Sequence, residues 1–223
     1  MQIFTLFTSK EDGNLAYHVQ DDEKNVKTNR ERLAIKYGFD NKKLIFMNQV
    51  HKDNIVIVDK NSKNLIDACD AIITKEKNLP LMVMVADCIP ILMYDEKKEV
   101  IAAIHAGRNS TFLNIAQKTA LKMIKEFKCK EEHIKVILGP SIQKCCYEVS
   151  QELANIVKKS FGNEFENNRY IDLQAINKKQ LNDIGITNIE ISTYCTKCSG
   201  DKYYSYRKST NTGRFAGVIM LKV

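Results

Sequence analysis

The chain has 223 residues, 44% of them hydrophobic, with nine glycines, three prolines and a formal net charge of +7. That is enough apolar surface to bury one sizeable core, it fits a single domain over 1–223, and it excludes collagen-like or low-complexity character. The lysines are scattered between hydrophobic runs without a long block, so the charge reads as a solvated basic surface rather than a nucleic-acid face, and it suits anionic small molecules.

Residues 2–9 predict a first strand and 15–19 a second. Residues 23–37 predict a helix. Val26, Arg30, Leu33, Ala34 and Tyr37 share one face of it, and Gly38 stands at the stop position. Runs rich in β-branched residues follow at 44–47, 54–58, 71–74, 81–86, 89–94 and 100–105. Several are apolar on both faces, as central strands are. Ser110 is the expected cap of one long helix to about Phe127, with Ala116, Ala120, Met123, Ile124 and Phe127 as its inner stripe. A strand at 134–138, helices at 151–161 and 173–183, and strands at 189–194 and 215–221 complete the order. Helices mixed among sequential strands define an α/β (α+β) layered domain with mixed sheets covered by helices.

The N-terminus lacks a basic segment and a small-residue cleavage site, so no secretory signal is expected. The longest apolar stretch, 79–93, is interrupted by Pro80, Asp87 and Pro90 and falls short of a span of about 20 residues. A cytoplasmic, non-membrane protein is expected, a monomer or weak homo-oligomer. Seven cysteines in a chain of this size read as buried thiols or ligands rather than a disulfide framework.

Of four histidines, His51 and His105 each close a strand, and Cys88 follows another. Strand ends converge at sheet rims, where a rigid scaffold positions functional groups. Two imidazoles and a thiolate suit zinc with a fourth position open, the catalytic rather than the closed structural pattern. The spacing alone also admits a second reading, two buried hydrogen-bonded histidines and an inert thiol. Asp87, beside Cys88 at an apolar strand end, needs a partner. Cys195-Thr-Lys-Cys198 has the two-residue gap of a zinc or redox pair. A zinc ribbon needs a second such pair, however, and Cys145-Cys146 are adjacent, so Cys198 reads as a free thiol.

Five ordered motifs carry a resemblance over nearly the whole chain. They are Gln49-Val50-His51, then Asp70-Ala71-Ile72-Ile73-Thr74 with Ala86-Asp87-Cys88-Ile89-Pro90, then His105-Ala106-Gly107. Gly139-Pro140-Ser141-Ile142 with Cys145-Cys146-Tyr147-Glu148-Val149 follows. Last come Cys195-Thr196, Ser205-Tyr206-Arg207-Lys208 and Thr212-Gly213-Arg214. Together they resemble the multicopper polyphenol oxidase, or laccase-domain, family. That family is also described as purine nucleoside phosphorylases with adenosine deaminase activity, and it includes the peptidoglycan editing factor. The resemblance implies a layered α/β/β/α fold and a metal held by His51, Cys88 and His105. Two departures stand out. Arg108-Asn109-Ser110 replaces the family's usual Trp-Arg-Gly, leaving Arg108 to supply the guanidinium one place earlier, and Gln143-Lys144 replaces Gly-Pro.

The leading functional expectation is a zinc-dependent purine nucleoside phosphorylase with adenosine deaminase activity, extending to methylthioadenosine as a phosphorolysis substrate, whose partners are a nucleoside and phosphate. Asp87, Cys88 and His105 are the expected catalytic residues, Asp87 as general acid/base. Arg30, then Arg108, are the expected phosphate-binding residues. Tyr147 and Glu148 are expected near the site. A Cys/His amide hydrolase acting on peptidoglycan precursors is the alternative, with Cys88 as nucleophile and His105 as base. Copper is the alternative metal, since it binds most such ligand sets more tightly than zinc. Four histidines are too few for the combined mononuclear and trinuclear copper set of a laccase.

Overall fold

The computed structural model describes residues 2–223. In chain order it has β1 (Gln2–Phe7), α1 (Glu23–Tyr37), β2 (Ile45–Met47), β3 (Ile55–Ile57), β4 (Leu65–Ile66) and β5 (Ala71–Thr74). Next come β6 (Leu81–Val85), β7 (Ile89–Asp95), β8 (Val100–Ala106), α2 (Arg108–Phe112), α3 (Ile115–Phe127) and β9 (Ile134–Leu138). The chain closes with α4 (Gln151–Ser160), β10 (Glu166–Asn167), β11 (Tyr170–Ile171), α5 (Leu173–Asn182), β12 (Ile189–Ile191) and β13 (Phe215–Lys222).

Two mixed sheets stack face to face. One has the order β1-β13-β6-β2-β4 and the other β12-β9-β7-β8-β5-β3. The two-residue alternation of each strand sorts its side chains between layers. On β8, Ile101 and Ala103 enter the core between the sheets, while Val100, Ala102, Ile104 and Ala106 meet the helical layer of α3, α4 and α5. On β6, Leu81, Val83 and Val85 face the other sheet, while Met82 and Met84 face α1. Each central strand is therefore buried on both faces, which is why these segments read as unbroken apolar runs. The result is the expected α/β/β/α layering.

Three local expectations are corrected. Residues 15–19 form no strand. Leu15 and Ala16 are buried, but the Asn14 side chain bonds the Ala16 backbone both ways, and the Leu15 carbonyl accepts from Arg30 Nε at 2.8 Å. The long helix from Ser110 is broken into α2 and α3 by Asn114, at φ 61° and ψ 37°. Asparagine tolerates this left-handed conformation better than most residues. Ser110 lies inside α2 with its hydroxyl buried. The last short strand, β12, stops at Ile191 rather than continuing to Tyr194. No helix among the described residues is long and apolar enough to cross a membrane.

Candidate metal centre and substrate cavity

The centre forms where the chain crosses between the sheets. It leaves β6 of the first sheet at Val85 and enters β7 of the second at Ile89, so Ala86, Asp87 and Cys88 are the link. His51 lies on the passage from β2 to β3, another crossing of the same kind. His105 is the penultimate residue of β8 and, by strand parity with Ile101 and Ala103, points between the sheets. The ligand atoms of His51, Cys88 and His105 all lie within 4.8 Å of one another. Cys88 Sγ is 3.9 Å from His51 Nε2, and the two imidazoles meet edge to face with centroids 4.7 Å apart.

Asp70 organises this cluster from behind. Its fully buried carboxylate accepts from His105 Nδ1 at 2.8 Å and from the backbone N–H of His51 and Lys52 at 2.9 Å each and of Val50 at 3.3 Å. The first bond fixes the His105 tautomer and leaves Nε2 for the cluster, as a carboxylate behind a metal-ligating imidazole does. The other three hold the loop in which His51 sits at φ 58°, a conformation uncommon for a residue with a Cβ. Gly107 closes the floor. A Cβ there would stand 3.0 Å from both Cys88 Sγ and His51 Cδ2, so close approach, not backbone conformation, requires glycine.

Burial alone would push the Cys88 thiol up. The charge and hydrogen bond of His105, helped by His51, outweigh it and bring the thiol down to about 6. The converse holds for His105. Burial would lower it, but the Cys88 sulfur and the Asp70 carboxylate raise it to about 9. This soft thiolate with two imidazoles is a donor set that fits a single zinc or copper ion with a position left for a reactant. Of the other histidines, His133 contacts Lys97 Nζ at 2.8 Å and His18 borders a separate hollow, so among the described residues neither joins the His51, Cys88 and His105 group.

Above the cluster opens a cavity of about 390 Å³, a size typical of small-molecule sites. His51, Asp87 and Cys88 line it together with three arginines, Arg108, Arg207 and Arg214, and the rings of Tyr147 and Tyr206. Asp87 is pinned between loops. Oδ1 accepts from Thr196 Oγ1 at 2.6 Å and Oδ2 from the Arg207 N–H at 2.8 Å. Arg207 lies over the Tyr147 ring at 4.8 Å and donates Nη1 to the Glu148 carbonyl. Arg214, also on the cavity wall, bonds the Thr212 and Gly213 carbonyls through Nη1. Burial draws its ordinary value downward, against the pull of Cys88 and Asp87.

The structure thus brings Asp87, Cys88, His105, His51 and Arg108 to one place. It does not bring Arg30 to the cavity wall. The buried Arg30 guanidinium is sandwiched at 4.5 Å from the Tyr17 ring and 4.1 Å from the Phe46 ring, and burial lowers it to about 10. Glu148 turns its carboxylate to Arg169. Arg207 and Arg214 were given no role from sequence, although both stand in quoted motifs. Only their return to the Cys88 end of the sheets distinguishes them from surface cations.

Two back-to-back mixed sheets, helices on both outer faces and a His/Cys/His cluster at the crossing define a layered protein with a candidate mononuclear metal centre. The family model described as multi-copper polyphenol oxidoreductase laccase matches residues 8–222, and the chain belongs to this family. A relative from Campylobacter jejuni named purine nucleoside phosphorylase is 36% identical over 205 residues, covering 88% of this chain and 86% of the relative. One from Corynebacterium glutamicum with the same name is 34% identical over 214 residues, covering 93% and 86%. Among solved structures, the hypothetical protein YfiH of Bacillus licheniformis superposes with a TM-score of 0.94 at 28% identity, covering 99% of this chain and 93% of that one. YlmD of Geobacillus stearothermophilus does so with 0.92 at 26% identity, covering 99% and 92%.

Proposed function

We propose that this chain is a purine nucleoside phosphorylase with a zinc ion as its resident metal. The observation that carries the reading is the placement of three arginines and two tyrosine rings directly over a His/Cys/His cluster. The names of the similar proteins support it. Arg108, Arg207 and Arg214 offer forked donors to the phosphate and hold it in line with the anomeric carbon. Tyr147 and Tyr206 give the purine apolar faces to pack on. In the reaction the bond from the anomeric carbon to the purine nitrogen breaks and its electron pair leaves with the base. A phosphate oxygen bonds the same carbon, and the proton that the hydrogen phosphate gives up ends, directly or through solvent, on the departing base. Asp87 already accepts from Thr196 and from Arg207, and its cavity-facing lone pairs accept a further hydrogen bond from the nucleoside, which orients it. His51, Cys88 and His105 are the residues that hold the metal. When bound, a zinc ion supplies Lewis-acid activation of a water or substrate oxygen, the chemistry that adenosine deamination also needs.

A second reading rests on a specific geometry. Cys88, His105 and Asp70 form a nucleophile, base and orienting carboxylate in series, and the thiol is lowered to about 6. That is the arrangement of a Cys/His hydrolase acting on an amide. A screen of nucleosides with phosphate, using chelated and zinc-restored protein in parallel, separates the two. Phosphate-dependent release of free base that is lost on chelation and regained with zinc supports the first. Full activity of metal-free protein on an amide, with an acyl adduct on Cys88, supports the second and overturns the first.

A further inference from the structure

The two-residue cysteine gap, which the sequence left without a partner pair, has one in space. Cys145 and Cys146 lie in the loop between β9 and α4, and Cys195 and Cys198 in the loop between β12 and β13. The four sulfurs lie within 4.8 Å of one another, with Cys145 Sγ and Cys198 Sγ at 3.6 Å. A zinc ion with four sulfurs at about 2.3 Å sets them about 3.8 Å apart, a separation that this spacing accommodates. An iron–sulfur cluster, which interposes sulfides and several irons, needs its cysteine sulfurs spread wider.

The backbone supports the same conclusion. The 195–198 turn is closed by Ser199 N–H to the Cys195 carbonyl at 3.0 Å, with Gly200 at φ 72° just beyond. The loop 195–198 thereby presents both of its sulfurs to one side, toward Cys145 and Cys146.

We propose that Cys145, Cys146, Cys195 and Cys198 form a second, structural metal site that takes one zinc ion as a tetrathiolate. Each thiol that binds gives up its proton to solvent, and no electrons are transferred. The ion adds a staple to two loops that also meet through Thr196 N–H to the Ser141 carbonyl at 3.1 Å, Ser141 N–H to the Tyr194 carbonyl at 3.4 Å, Gln143 Nε2 to the Ser192 carbonyl at 2.8 Å and Arg207 Nη1 to the Glu148 carbonyl at 2.9 Å. These loops carry Ile142 and Tyr147 on the cavity wall and Thr196 against Asp87. The staple sets the shape of the cavity without touching what binds in it. Cys145 and Cys198 are exposed, so the ion enters from the surface.

The test uses the full-length protein purified without chelator. Iodoacetamide labelling under native conditions, mapped by peptide mass, is expected to spare all four cysteines. Chelation is expected to expose Cys145 and Cys198, and zinc chloride alone to protect them again. A Cys88→Ala variant, which lacks the thiolate of the other centre, is expected to keep about one zinc, with X-ray absorption giving four sulfurs at about 2.3 Å. A Cys145→Ser/Cys198→Ser variant is expected to lose that ion. A Cys145–Cys198 disulfide in the native protein, prompt labelling of these thiols with zinc present, or a mixed nitrogen and sulfur shell in Cys88→Ala would each overturn the proposal. Labelling of the unmodified protein decides the matter even where the double variant fails to fold, and none of these readouts depends on nucleoside turnover.

Discussion

Replacing Asp70 by Asn isolates the contribution of the carboxylate behind the metal centre. Its Oδ1 accepts from His51 N–H and His105 Nδ1, and its Oδ2 from Val50 N–H and Lys52 N–H. An amide can accept through one oxygen only. Whichever way Asn is oriented it keeps two of these four bonds and turns its NH2 against the donors of the other two. Hydrogen bonds to a charged acceptor are worth about 1.5–3 kcal/mol each, so the loss of two destabilises the fold by about 3–6 kcal/mol. With His105 no longer tied to a carboxylate, metal affinity falls by roughly 10- to 100-fold, or about 1.4–2.7 kcal/mol. The assay is paired: urea unfolding of the chelated protein, and zinc competition against a chromophoric chelator. Unchanged stability together with unchanged zinc affinity would refute the role given to Asp70.

Arg214→Ala is expected to raise the KM for phosphate by roughly 10- to 150-fold, the equivalent of about 1.5–3 kcal/mol of charge-assisted bonding, with the KM for nucleoside little changed. Equal effects on both substrates would place Arg214 elsewhere in the reaction. Arg30→Met is expected to cost about 2 kcal/mol in chemical unfolding and to leave the phosphate KM unaltered, because it removes a buried bond and a stack between rings. A raised phosphate KM without lost stability would return Arg30 to the substrate. In chelated protein the Cys88 thiolate persists as pH falls until about 6, so its alkylation rate is expected to halve there. A midpoint near 9, the ordinary value for a thiol, contradicts the pairing with His105.

The layers were legible because both sheets are covered on both sides, and the apolar runs 81–86 and 100–105 read as strands that the structure forms at Leu81–Val85 and Val100–Ala106. Residues 15–19 misled because only Leu15 and Ala16 are buried, and their backbone groups are met by the Asn14 and Arg30 side chains and the Arg214 carbonyl rather than by a ladder. The single long helix failed at Asn114, whose left-handed turn leaves no mark on the apolar periodicity of residues 115–127. His51, Cys88 and His105 were readable as candidate ligands at strand ends, and the structure gathers them into one cluster. Asp70, which positions two of them, was visible only as part of a motif. Arg30 sits on the inward face of α1, as its spacing required, and that same face carries it to Tyr17 and Phe46 instead of the cavity. Arg207, Arg214 and the paired cysteines act through loops distant in the chain, and such convergence follows from sheet order rather than from local pattern.

The central claim is that a metal-binding thiolate under three arginines serves phosphate-dependent cleavage of a nucleoside. Ribose 1-phosphate formed from inosine and phosphate by the native protein and by Cys88→Ala tests it most directly. The account predicts phosphate-dependent product from the first and none from the second. Undiminished product from Cys88→Ala, or none from zinc-replete native protein, would contradict it.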